Sequence, residues 1–241
     1  YGNMSIVYAA IPFLNVIFTY GIETAYFRFA TKEGYKKDIY STATISIICS
    51  TILLTAILIL SRSSMAHLLR LDSNPEFISL AALIIAFDTL AALPLAKLRL
   101  DQRPRKYALI MLSKIILQIA VTYFLISVCS KWAAQSPNGF IATFYKPGYG
   151  VGYIMIANLC AAFFALLLLH KEFFSFEFKF NRKVWAGMMI YSMPLIIVGF
   201  GGMINEVFDR IMLTWLAPVA TMTAAKDQVS IYSACYQLSI L

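Results

Sequence analysis

Long apolar runs separated by short polar connections set the rhythm of this chain. They read at about 4–27, 39–60, 78–97, 107–129, 151–170 and 184–217, and a seventh starts near 229. Each full run has about 20 residues or more, enough at ~1.5 Å rise per residue to cross ~30 Å of hydrocarbon. The runs are too long for barrel strands and lack strict alternation, and in lipid a backbone must satisfy its polar groups internally. The pattern therefore predicts an all-α, polytopic membrane protein, a bundle of six or seven transmembrane helices.

Composition agrees: 60% of residues are hydrophobic and 13% charged, against about 45–50% and about 25% in soluble domains. A net charge of +8 would suit nucleic acid if it formed one basic face, but the lysines and arginines sit in clusters between apolar runs. Successive connections carry four (Arg28, Lys32, Lys36, Lys37), two (Arg62, Arg70) and five (Lys97, Arg99, Arg103, Arg105, Lys106). They then carry two (Lys131, Lys146), four (Lys171, Lys179, Arg182, Lys183) and one (Lys226), so that alternate connections total thirteen against five. The positive-inside rule puts connections 28–37, 97–106 and 171–183 in the cytoplasm and Tyr1 on the outer side. No initiator Met or basic leader precedes the first run, and residues 231–241 stop within an apolar stretch. We therefore expect a longer parent chain, with one more helix upstream.

The connections differ in kind. Met65 to Leu71 has the make-up of a short helix lying in the interface, and the outer segment 131–150 is rich in Gly, Pro and aromatics. In 171–183, Phe alternates with charged or polar residues, as expected of an interfacial linker between two lobes. We place the lobe boundary there: 1–175 as the N-terminal lobe and 176–241 as the start of a second. The run 184–217 would reach roughly 50 Å as a straight helix, so it should bend, tilt or begin along the interface. Pro194, Gly199, Gly201 and Gly202 are the hinge candidates.

Charges inside the runs are the sharpest chemical signal, since one at the bilayer centre costs at least ~2.5–3.5 kcal/mol. They are Glu23, Asp88, Lys114, Glu206, Asp209 and Arg210, with Arg28 near the inner end of its helix. Two roles are open. Asp88 and Lys114 either neutralise each other across a short hairpin or face a polar path. Glu206 and Arg210, four apart, either pair on one helix face and snorkel outward or line a cavity with Asp209. Glu23 is five residues from Arg28, a poor spacing for a pair, which favours a cavity-facing role. Asn15, Gln118, Asn158 and Asn205 are suited to interhelical hydrogen bonds.

Enzyme signatures are lacking. Gly148-Tyr149-Gly150-Val151-Gly152 follows no strand and lacks the spacing of a dinucleotide loop. His67 and His170, the only histidines, stand at run ends, leaving little for a metal site or acyl transfer. Cys49, Cys129, Cys160 and Cys235 have no CxxC spacing and read as buried, inert thiols. No catalytic residues, cofactor or metal are expected, and the chain reads as a transporter, not an enzyme.

Several patterns carry a resemblance: Tyr1-Gly2-Asn3 before the first run, Gly21-Ile22-Glu23-Thr24-Ala25-Tyr26-Phe27-Arg28-Phe29 at its inner end, and Pro94-Leu95-Ala96-Lys97-Leu98-Arg99 before a basic turn. Tyr191-Ser192-Met193-Pro194-Leu195, with Asp209-Arg210 about four turns later, completes the set. In their order the chain resembles the lipid-linked-oligosaccharide (Wzx-type O-antigen) flippases of the multidrug/oligosaccharidyl-lipid/polysaccharide exporter superfamily. The resemblance implies two six-helix lobes, with this chain covering helices two to six, then seven and the start of eight. It further implies a bacterial inner-membrane location and alternating access for a polyprenyl-pyrophosphate-linked sugar. Arg28, Lys114 and Arg210 would be its candidate cations, with H+ or Na+ as coupling ion. A drug/cation antiporter of the same superfamily, working through Glu23, Asp88 or Asp209, is the nearest rival. A membrane-embedded sugar polymerase or ligase would need a larger outer loop.

Overall fold

The computed structural model describes residues 2–32, 37–68, 75–135 and 149–216, which form helices and no strand. In chain order they are α1 (Gly2–Thr19), α2 (Ile22–Lys32), α3 (Lys37–Leu60), α4 (Arg62–Leu68), α5 (Glu76–Leu100) and α6 (Pro104–Tyr123). A π-turn, Phe124–Val128, carries α6 into α7 (Cys129–Gln135); α8 (Gly150–Leu168), α9 (His170–Phe173) and α10 (Arg182–Leu216) follow. Among the described residues four helices are long and apolar enough to cross a membrane, at Asp38–Leu60, Glu76–Leu100, Pro104–Trp132 and Arg182–Ile204, with a shorter apolar helix at Gly152–Leu168.

The first run departs from expectation, because it is two helices. Tyr20 and Gly21 have positive φ (34° and 68°), which ends the α1 hydrogen-bond ladder, and Ile22 starts α2 in a new direction. Thr19 Oγ1 donates to the Asn15 carbonyl at 2.7 Å and the Tyr20 hydroxyl meets Ser46 Oγ on α3 at 2.9 Å, so the break is held from both sides.

α5 is the central helix. It contacts α1, α2, α3, α6, α8 and α9, and Ala81, Ala82, Ala86, Ala91 and Ala96 are buried along it. α8 answers with buried Ala157, Ala161, Ala162 and Ala165. Small side chains on facing helices let two backbones approach closely, the means of tight packing where lipid is as apolar as the core. The outermost helices behave oppositely. On α6, Leu109, Leu112, Ile115, Ile116 and Ile119 are exposed, and on α10 so are Ile190, Met193, Ile197 and Val198. Such faces suit acyl chains.

α10 runs as one helix through Pro194 and packs on α1, α2 and α3. Its glycines are unequal. A Cβ on Gly199 would meet Val16 Cγ1 at 3.0 Å and one on Gly187 would meet Phe29 at 3.2 Å, whereas Gly201 and Gly202 have nothing within 4 Å. Gly199 is thus a close-approach point against α1. The thiols also need a correction: Cys129 is buried, but Cys49 and Cys160 are exposed on helix faces, and all three are free.

Connections 97–106 and 170–182 meet the start of α3 at one end of the bundle, hereafter the basic end. At the other end Tyr149, just before α8, donates its hydroxyl to Glu76 Oε2 at 3.0 Å and packs on Phe77 and Tyr153. Burial, then the Glu76 carboxylate, pushes the Tyr149 phenol up to about 12. The folded value lies above the ordinary ~10, so the neutral phenol's contribution to stability is complete below pH ~10 and is lost as pH rises towards 12. Subtracting the alkaline ultraviolet titration of Tyr149→Phe from that of the unsubstituted protein should isolate one phenol ionising near pH 12; a difference curve centred near pH 10 contradicts this packing.

Candidate functional site

The site is built in two tiers. The deeper one lies between α5 and α6, antiparallel neighbours joined by a tight turn in which Gln102 has φ 53° and Arg103 N donates to the Leu98 carbonyl at 3.0 Å. Counting back from the turn at 1.5 Å per residue, Asp88 stands about 18 Å and Lys114 about 15 Å from the basic end, both near mid-depth. There Lys114 Nζ bonds Asp88 Oδ1 at 2.5 Å, with side-chain exposures of 23% and 36%. The hairpin pairing open in the sequence is the one adopted. Neither side chain is fully buried, so the pair borders the surface of the described bundle and is reachable from outside it.

The second tier lies toward the basic end. Glu23, in the first turn of α2, pairs with Arg99 near the end of α5. The guanidinium stacks over Phe27 at 5.2 Å and Tyr107 at 5.5 Å. Glu23 therefore has a partner 76 positions away in sequence, which no spacing along its own helix could reveal. Arg28, further along the same helix, is exposed and lies 4.2 Å over the Tyr191 ring of α10. It has no acidic partner among the described residues.

Beside these, Glu172 of α9 is buried and ties α9 to α3 and α6. Lys106 of α6 bonds its Oε1 at 2.6 Å, while the Tyr40 hydroxyl of α3 and Ser175 Oγ donate to its carbonyl at 2.8 and 2.6 Å. Lys97 of α5 donates to Ser175 and lies 4.4 Å over the Tyr40 ring. Glu172 Oε2 is buried without a hydrogen-bond partner.

The sequence marks Lys97, Arg99 and Lys106 as topology charges, not as candidate site residues, and does not single out Glu172. The available signal is an acid placed in a basic connection directly after an apolar run. Of the other candidates, Pro194, Gly199, Gly201 and Gly202 lie on α10 without a break in its helix. The side chains of Glu206, Asp209 and Arg210 fall outside the described residues.

Chemically, the arrangement places an ion pair near mid-depth of the bundle and, nearer the basic end, the Arg28 guanidinium without a carboxylate partner among the described residues. Such a guanidinium suits a multidentate oxyanion such as a phosphate. Residues 1–241, the whole sequence, match a family model described as polysaccharide biosynthesis protein. No curated protein and no solved structure matches the chain.

Proposed function

This chain belongs to the polysaccharide biosynthesis protein family, and on that premise we propose that it is part of a flippase. Its cargo is a polyprenyl-pyrophosphate-linked oligosaccharide, moved from the inner to the outer leaflet by alternating access. The observation that carries this reading is the family match over the whole chain, joined to a bundle with charged groups at mid-depth and toward one end. A sugar-pyrophosphate headgroup cannot enter hydrocarbon unaided, and fixed cations replace part of its hydration. Arg28 takes the pyrophosphate first, because it is an exposed cation without a carboxylate partner among the described residues and stands where α2 meets α10. Lys114, drawn from Asp88, offers a second positive group at the depth where the headgroup is furthest from water. Movement needs no hydrolysis; an ion gradient of H+ or Na+, or the substrate gradient, supplies direction.

The basic end faces the cytoplasm under the positive-inside rule, in a bacterial inner membrane. The lobe boundary lies near 175/176, so that α10 belongs to the second lobe and its contacts with α1 and α2 form part of the seam that opens and closes.

The test is accumulation of lipid-linked oligosaccharide on the inner leaflet of cells lacking the full-length protein, relieved by re-expression. Arg28→Ala in the full-length protein should lower flipping about tenfold or more, the loss of one charge-assisted hydrogen-bonding group. Full flipping by this variant removes Arg28 from the path. Extrusion of cationic drugs that is lost with Asp88→Asn, without any lipid-linked intermediate accumulating, assigns the antiporter reading instead.

A further inference from the structure

Between α9 and α10 the backbone leaves the helical state and runs as a strap, residues 174–181, across the start of α3. It is pinned: Glu177 N donates to Ser41 Oγ at 2.9 Å and Asn181 N to Thr42 Oγ1 at 3.1 Å, both hydroxyl residues being buried. The segment turns at 174–175 and bends at 178, so its alternate phenylalanines do not share one face. Phe176 accordingly packs against the core cluster around Tyr26 and Tyr40, while Phe174 and Phe178 are 74% and 91% exposed and Phe180 is 49% exposed.

Charge is interleaved with these rings. Lys171, Lys179, Arg182 and Lys183 are exposed, and among the described residues only Lys179 has a carboxylate partner, Glu177 at 2.9 Å. The acid in their midst, Glu172, is buried and engaged by Lys106. Both ends of the strap are tied to apolar helices, α8 through the short α9 and α10 directly, so its height is set at the rim of the hydrocarbon. Exposed phenyl rings beside uncompensated cations at that height match a layer with acyl chains below and anionic phosphates above.

The geometry points to a lipid-binding surface at this place: the strap engages anionic phospholipid of the leaflet at the basic end. Phe174 and Phe178 enter the acyl region, and Lys171, Lys179, Arg182 and Lys183 hold the headgroup phosphates. The side chains of this surface are other than Arg28 and Lys114, and the lipid they hold does not depend on which cargo the protein transports.

The test uses full-length protein in lipid nanodiscs, with Phe178→Trp compared against the unsubstituted protein so that the difference emission reports the new indole. Brominated phosphatidylglycerol and brominated phosphatidylcholine are each supplied at the same mole fraction. Quenching by the phosphatidylglycerol should exceed that by the phosphatidylcholine by about twofold or more. The excess should vanish when Lys171, Lys179, Arg182 and Lys183 are all replaced by Gln. If that variant fails to fold, high ionic strength applied to the Phe178→Trp protein should remove the excess instead. Equal quenching by the two lipids, quenching by neither, or an excess that survives both treatments overturns the proposal. So does an excess abolished by inorganic phosphate but not by chloride at equal ionic strength, which would assign the basic groups to free phosphate.

Discussion

Gly21→Val is expected to unseat α10 from α1 and α2 and to be among the most damaging single changes in this chain. Gly21 has φ +68°, and a Cβ added there would meet Leu195 Cβ at 2.9 Å, Leu195 Cδ1 at 3.3 Å and the Ser192 carbonyl oxygen at 3.6 Å. Leu195 Cβ is fixed to the α10 backbone, so it cannot swing aside as a side-chain tip would. Left-handed strain in a β-branched residue costs about 1–3 kcal/mol, and overpacking adds another ~1–3 kcal/mol. The control is Gly201→Ala on the same α10 helix, where nothing lies within 4 Å of the added methyl. That change should be neutral or stabilising by up to about 1 kcal/mol, the helix preference of Ala over Gly. Thermal unfolding of the purified full-length protein in detergent separates them; a Gly21→Val protein as stable as the Gly201→Ala protein contradicts the contact between the α1–α2 break and α10.

Lys114→Ala should be comparably severe, for an electrostatic reason. It strands the Asp88 carboxylate near mid-depth, where an uncompensated charge costs at least about 2.5–3.5 kcal/mol unless the group takes up a proton. Removing both charges, with Asp88→Asn and Lys114→Gln together, leaves two neutral groups able to hydrogen-bond across the same hairpin. The double variant should therefore be more stable than Lys114→Ala, with a positive coupling between the two sites. Folded yield in the membrane and melting in detergent report it; additive effects mean that the two side chains do not depend on each other. Flipping activity supplies the second reading of the same proteins. A double variant that folds but does not transport makes the pair part of the path, and one that does both makes it a structural tie.

The spans were legible because a membrane helix is announced by length and apolarity within a single run. α3, α5, the α6–α7 segment and the apolar start of α10 fall where the hydrophobic pattern predicts them, and α4, Arg62–Leu68, overlaps the stretch Met65–Leu71 expected to form a short helix. The first run reads as continuous because hydropathy is blind to φ. Tyr20-Gly21 interrupts neither polarity nor length, yet positive φ at both residues ends one helix and starts another.

Charged groups were legible as a set of suspects and not as partners. Asp88 and Lys114 were recoverable because they stand at similar distances from one short turn, so that antiparallel packing alone brings them level. Glu23 with Arg99, Arg28 with Tyr191, and Glu172 with Lys106 and Tyr40 depend on which faces of non-consecutive helices meet. The rotation of each helix about its own axis decides that, and the near-uniform apolarity of these helices leaves the rotation almost unmarked in the sequence.

By itself, then, the sequence determined the solvent of this protein, the rough limits of its long apolar helices at α3, α5, α6–α7 and the start of α10, and which few residues carry charge into the apolar runs. Each follows from a local property, the cost of moving a short stretch from water into hydrocarbon. Tertiary structure alone decided that α5 is the hub, that the first run turns at Gly21 to seat Leu195, and that Lys114, Arg99 and Lys106 are paired with carboxylates while Arg28 lies over Tyr191. Those outcomes rest on close packing and on distances between groups far apart along the chain, and such distances exist only once the helices have come together.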